Sequence, residues 1–118
     1  NYVADHEYEP GTVVIFGGSA EITVTTDHGD ERVAGAISTN PAYLMNDGVK
    51  GLPVALRGRI PVKVIGPVEK GDLLVTAGAY PGFAISVGRS TDYPLAVFAK
   101  AIETNTNDGE KIIEAVIL

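Results

Sequence analysis

The chain has no cysteine, which excludes disulfides, thiolate metal sites and a cysteine nucleophile. That absence leaves the compartment open, because extracellular domains of this size can do without bridges. No apolar run approaches the roughly 20 residues that span a bilayer, and no signal-peptide pattern is present. Basic residues are scarce, nine Lys and Arg against fifteen Asp and Glu, for a formal net charge of −6. That balance argues against nucleic acid or an anionic membrane surface as the main partner. Also missing is any sustained stretch with apolar residues at i, i+3, i+4 and i+7, the signature of an amphipathic helix.

What is present is turn chemistry and short apolar runs. Fourteen Gly and seven Pro among 118 residues, with 45% apolar and 20% charged side chains, describe one globular domain of short strands spanning 1–118. Opening on Asn1-Tyr2 without Met, the sequence is expected to be a fragment of a longer protein. From Arg59 to Val64 the residues alternate, with Ile60, Val62 and Val64 on one face and Arg59, Pro61 and Lys63 on the other. That period of two predicts a half-buried strand. Gly58 separates it from an aliphatic strand at Val54–Leu56, and Gly66-Pro67 turns it toward another at Leu73–Val75.

Elsewhere, Glu9-Pro10-Gly11 launches a strand at Thr12–Phe16. Ala20–Thr26 alternates, predicting Ile22 and Val24 facing in and Glu21, Thr23 and Thr25 facing out. Asp27-His28-Gly29-Asp30 predicts a hairpin-like turn into a strand at Arg32–Ser38. Asn40 followed by Pro41 predicts one helical turn to Met45. Strands are also expected at Phe83–Val87, Val97–Ile102 and Ile112–Leu118. The class is all-β, a small Gly/Pro-rich barrel or β-clip-like fold.

A pseudo-two-fold repeat is a further possibility. Glu9-Pro10-Gly11-Thr12-Val13-Val14-Ile15 and Glu69-Lys70-Gly71-Asp72-Leu73-Leu74-Val75 share E-x-G-x followed by three aliphatics. Ala34–Ile37 then resembles Ala99–Ile102, and Val54–Leu56 resembles Ala115–Leu118 as a closing strand. The alternative is that turn-then-strand chemistry recurs in any β protein.

Candidate chemistry is thin. Asp5-His6-Glu7 with Glu9, and Asp27-His28 with Glu31, set a histidine among carboxylates, but both read as solvated loop ends rather than metal sites. Ser19, Ser38, Ser86 and Ser90 lack a nucleophile elbow, and a Ser–Lys pair with Lys63 or Lys100 has no motif to single it out. Gly17-Gly18-Ser19 opens no helix that could hold an anion. No catalytic residue, metal ligand or cofactor is assigned. Tyr43, Tyr80 and Tyr93 fall in loops and are candidates for stacking on sugar rings. Charge is segregated: seven acids and no base lie between Asn1 and Glu31, whereas Val49–Lys70 holds five bases and one acid, Glu69. Opposite faces of that kind suit pairing within the fold or between subunits, with Arg57, Arg59 and Lys63 as candidate interface bases.

Three stretches carry a family resemblance: Tyr8–Val14; Arg32-Val33-Ala34-Gly35-Ala36-Ile37-Ser38-Thr39-Asn40-Pro41-Ala42-Tyr43-Leu44-Met45; and Pro53–Val64 with Lys70-Gly71-Asp72-Leu73-Leu74. With Pro81-Gly82 they resemble the C-terminal β domain of tail-fibre-like structural proteins of marine T4-like phages; related domains end bacterial fibrous surface proteins. The resemblance implies a non-enzymatic virion protein, made in the host cytoplasm, that caps an upstream fibre stalk as a homotrimer. It aids trimer registration and folding, or acts as a tip for a host receptor or glycan. Some related appendage domains are autoproteolytic intramolecular chaperones. The Asp-Leu-Ala-Glu tetrapeptide that usually precedes this segment in the family is missing here, so no cleavage residue is carried over.

Overall fold

The structure, a computed structural model, describes residues 2–38, 51–89 and 91–118. The helical turn expected at Pro41–Met45 lies outside them, as does Tyr43. Eleven strands are described: β1 Tyr2–Val3, β2 Val13–Phe16, β3 Ile22–Thr23, β4 Val33–Ile37, β5 Gly51–Leu52, β6 Val54–Ala55, β7 Gly58–Ile65, β8 Leu73–Thr76, β9 Ala84–Ser86, β10 Ala99–Ala101 and β11 Glu110–Ile117. The fold is all-β, with a single 3₁₀ turn, Pro94–Ala96, among the described residues.

Strands β10-β11-β7-β9-β8 close into a barrel, β8 pairing back to β10. The alternation read at Ile60–Val64 holds: Val62 and Val64 are buried and Ile60 packs on the same core. The remaining strands form a sheet ordered β3-β2-β4-β6 and a separate ribbon β1-β5.

These smaller sheets are a copy of the barrel. In the first half β2 lies between β3 and β4, with Val14 opposite Gly35 and Phe16 opposite Ile22. In the second, β8 lies between β9 and β10, with Leu74 opposite Ala99 and Thr76 opposite Ala84. Ile37 faces Val54 as Ala101 faces Ala115. Tyr2 faces Leu52 as Val62 faces Ile113. The parallel contact of Ala4 with Ile22 recurs as Val64 with Ala84. Thus β1–β4 correspond to β7–β10, and β5 with β6 to β11.

The cores repeat too. Val14, Ile22, Ile37, Leu52 and Val54 take the places of Leu74, Ala84, Ala101, Ile113 and Ala115. Val13 and Ala36, paired neighbours on β2 and β4, join the core of the second half. The body formed by the two halves measures 41 × 25 × 23 Å.

Several local expectations need correction. The repeat aligns Gly35 with Ala99 and Ile37 with Ala101, one position away from the match suggested by letter identity. The turn at residues 27–30 does not join a hairpin, because β3 and β4 each pair with β2 and not with each other. Instead the loop lies across the second half. The Gly29 amide donates to Thr76 O at 3.0 Å, and a Cβ on Gly78 would come within 2.6–2.8 Å of the backbone of Thr26, Asp27 and His28. Thr25, expected to face out, is buried because its hydroxyl donates to Asp30 Oδ2 at 2.6 Å.

Candidate functional site

The long ladder β7–β11 presents one face to the core and one outward. Its register sets Lys63 beside Ile112, Pro61 beside Glu114 and Arg59 beside Val116; Lys100 of β10 flanks Val116 on the other side. Period two then accounts for the outer row on β11: Glu110, Ile112, Glu114 and Val116, with Leu118 just beyond. Ile112 is 56% exposed in mid-strand and Leu118 61% exposed at its end. Two aliphatics thus stand among charges of both signs.

Three of the residues singled out from sequence belong to this region, in different states. Lys63 is held within the chain: its ammonium donates to Glu9 Oε1 at 2.7 Å and lies 5.7 Å from the centre of the Phe83 ring, leaving the side chain 16% exposed. This pair joins the acidic N-terminal segment to the basic central one inside a single copy. It also draws the Glu9 carboxyl below its ordinary range, chiefly through the hydrogen bond. Arg59 reaches Glu114 at 3.4 Å, a solvent-facing pair contributing little by itself. Glu114 Oε2 has no hydrogen-bond partner among the described residues. Arg57 has no ion-pair partner among the described residues and precedes Gly58, whose φ of +96° turns the chain into β7.

A groove of about 400 Å³ runs between Glu9 and Phe83 on one side and Glu110–Ile112 on the other, with Lys63 at its floor. A smaller hollow of about 220 Å³ continues past Lys63 toward Tyr8, Val24 and Pro81. Both are shallow and open. They suit a side chain or backbone laid on the surface better than an engulfed substrate.

Tyr80 and Tyr93 do not line this groove or the hollow beside it. Tyr93 stands edge-on to His28, ring centres 5.1 Å apart, and covers Gly29, where a Cβ would lie 2.8 Å from its ring. Tyr80 occupies the turn after β8, its amide donating to Ala77 O at 3.0 Å. Both rings are partly open to solvent.

Other polar clusters hold the fold together. Arg32 grips Asp30 with two side-chain bonds, at 2.8 and 3.1 Å, and holds its carboxyl well below the usual carboxylate range. Asp5 accepts from Tyr8 and, at 2.7 Å, from Thr23; the Tyr8 bond leads in lowering its pKa. Burial pushes the Tyr8 phenol up. Lys111 donates to the carbonyls of Gly66 and Asn107, and burial lowers its pKa. Asp72, buried, accepts from the Glu69 amide at 2.9 Å and Ser86 Oγ at 2.7 Å, so that serine is bound to a structural carboxylate. Among the described residues no three His, Asp or Glu side chains gather as a metal site.

Charge segregation singled out Arg59 and Lys63 as candidates and passed over Ile112, which lies on the same face. Its signal lay in the alternation of β11, where Ile112 and Ile113 are adjacent and so cannot both face the core. No family model, curated protein or solved structure matches this chain.

Proposed function

We propose that this chain is a non-enzymatic structural domain at the end of a tail-fibre-like virion protein of the marine T4-like phage type. Three copies associate there below an upstream stalk. The observation that carries the reading is Ile112, more than half exposed on β11 between Lys63, Glu110 and Glu114. A single exposed aliphatic is ordinary on a monomer. Ile112 stands in a row with Val116 and Leu118, beside a groove and among both signs of charge, as a subunit contact requires. Cyclic threefold assembly lets each copy offer one surface to the next and a different one to the last. The sequence resemblance from Tyr8 to Leu74 supports the fibre setting.

Sedimentation equilibrium of the chain, with Ile112→Glu and with the pair Arg57→Glu and Arg59→Glu, tests this role. A trimer weakened by Ile112→Glu is expected, and a chain monomeric at millimolar concentration overturns it. A glycan-binding tip is the second reading, favoured by the half-exposed Tyr93 ring on His28. Loss of glycan-array binding in Tyr93→Ala with assembly intact would select it. An autoproteolytic chaperone role, the remaining alternative, would appear as spontaneous fragmentation of the full-length parent protein.

A further inference from the structure

The two halves differ at one place that the duplication itself makes legible. In the second half the ladder of β7 with β11 continues past Val62–Ile113 through Pro61–Glu114, Ile60–Ala115, Arg59–Val116 and Gly58–Ile117. In the first half the matching ladder is described only for Tyr2–Leu52 and Val3–Gly51. The next residues on that side, Val54, Ala55 and Leu56, correspond to Ala115, Val116 and Ile117, because Ile37–Val54 and Ala36–Ala55 repeat Ala101–Ala115 and Lys100–Val116. Among the described residues β6 pairs with β4 alone.

Burial follows the same difference. Ile117 is 3% exposed, whereas its counterpart Leu56 is 44% exposed. Ala115 is fully buried and Val54 only half so. Ile60 packs on the second core, and no described residue fills its place in the first. A strand edge left open among the described residues, beside a half-exposed aliphatic, presents both elements that strand addition uses: backbone groups for affinity and a side-chain position for specificity.

We propose that the free edge of Val54–Leu56 takes one further antiparallel strand, formed by the polypeptide that leads into Tyr2. The second half states the chemistry of the occupant. It is extended, three or four residues long, and carries an aliphatic opposite Val54, as Ile60 lies opposite Ala115. The residues flanking that aliphatic point outward and can be charged, as Arg59 is. Its direction is set because it runs straight on into β1. The inference rests on the duplication and stands independently of the fibre reading.

The test places Gly-Arg-Ile ahead of Asn1, reproducing Gly58–Ile60, and compares it with Gly-Arg-Asp and with the unextended chain. Amide hydrogen exchange is followed at Val54 and Leu56, whose amides face that edge, with Ala55, paired to Ala36 of β4, and Ile113 as internal references. Gly-Arg-Ile is expected to slow exchange at the β6 edge by about tenfold or more, leaving Ile113 unchanged. Gly-Arg-Asp should give much less protection, and Leu56→Asp in the Gly-Arg-Ile chain should remove most of the gain. Equal protection by both extensions, or none by either, overturns the proposal. Protection of the unextended chain by a free peptide containing Gly-Arg-Ile, with no gain from the attached extension, also overturns it, by assigning the edge to a separate partner.

Discussion

Gly11 and Gly71 occupy one and the same turn in the two halves, with φ of +89° and +94°, and each amide donates to a strand carbonyl at 2.8 Å, Ile37 O for the first and Ala101 O for the second. The following residues repeat the pattern, the Ile37 amide donating to Thr12 O and the Ala101 amide to Asp72 O, both at 2.9 Å. A left-handed residue is therefore a requirement of the turn in both halves. A Cβ on Gly71 would meet nothing within 4 Å, so its replacement is opposed by backbone conformation alone. Gly71→Ala should cost about 1 kcal/mol or more, and Gly71→Asn less, because asparagine tolerates this region. Urea midpoints at constant m-value measure both; equal stability of the alanine variant and the parent would contradict the shared turn.

Gly35 poses a different constraint. A Cβ there would lie 2.0 Å from the Ala55 carbonyl oxygen, and backbone cannot step aside as a flexible side chain can. Gly35→Ala should open the β4–β6 pairing and destabilise the domain by about 3 kcal/mol or more. Gly58→Ala is the matched control: its φ is +96° but nothing lies within 4 Å, so about 1 kcal/mol is expected. If the two variants melt together, the close approach at Ala55 is not what fixes Gly35.

Thr76 fastens the 27–30 loop to the second half. Its hydroxyl accepts from the Asp30 amide at 2.7 Å and donates to Asp27 O at 2.8 Å. Thr76→Val keeps the shape and strands both partners, one of them buried, for a loss of about 1–3 kcal/mol. The Gly29 and Asp30 amides should exchange faster in that variant, while those of β11 keep their protection relative to global unfolding. Unchanged exchange at Gly29 and Asp30 would remove Thr76 from this role.

The strands were legible where period two or a short aliphatic run met a glycine or proline stop, as at Gly58–Ile65 and Leu73–Thr76. The duplication showed in the E-x-G-x turns because a left-handed position demands the same residue twice. Its register did not, because the connection between β9 and β10 is longer than that between β3 and β4, and Ala-x-Ala against Ala-Gly-Ala offers letters but no geometry. The 27–30 turn misled for a related reason: Asp-His-Gly-Asp specifies a change of direction, while Thr76 and Gly78, far along the chain, decide what it turns toward. Of the candidate interface residues, charge segregation pointed to Lys63, yet sequence could not choose between a partner in the same copy and one in another. Glu9 supplies the former.

Asp30 gives the domain an acid limit. Arg32 depresses its carboxyl pKa far below the ordinary 3.8, so the folded state releases this proton more readily than the unfolded chain. The resulting stability is present in full above that ordinary value and is lost as pH falls from it toward the depressed one. Asp5, lowered by Tyr8, adds a slope of the same sign. Asp30→Asn should be less stable than the parent at neutral pH, and the gap should narrow as pH falls below about 4. A constant gap between pH 6 and pH 2 would show that the Asp30–Arg32 pair contributes nothing through protonation.

Assembly is the prediction on which the proposed role depends. Lys63 is already satisfied by Glu9 and Arg59 partly by Glu114, so apolar burial of Ile112 and Leu118 must supply most of any affinity, with Arg57 and Arg59 setting orientation. Ile112→Glu places a carboxylate where burial is required and should weaken association by about tenfold or more, through loss of roughly 1.5–3 kcal/mol of aliphatic transfer energy. Because Ile112 points away from the core, its melting temperature as a monomer should stay near that of the parent. The pair Arg57→Glu and Arg59→Glu should act mainly at low salt, since exposed charges are screened at high ionic strength. Association of the isolated chain is expected to be weak, because a stalk would hold three copies at high effective concentration. Fusion to an unrelated trimeric coiled coil should therefore give a melting temperature above that of the free domain, and Ile112→Glu should abolish that gain. A trimer unaffected by Ile112→Glu, with or without the coiled coil, would move the interface elsewhere on the molecule.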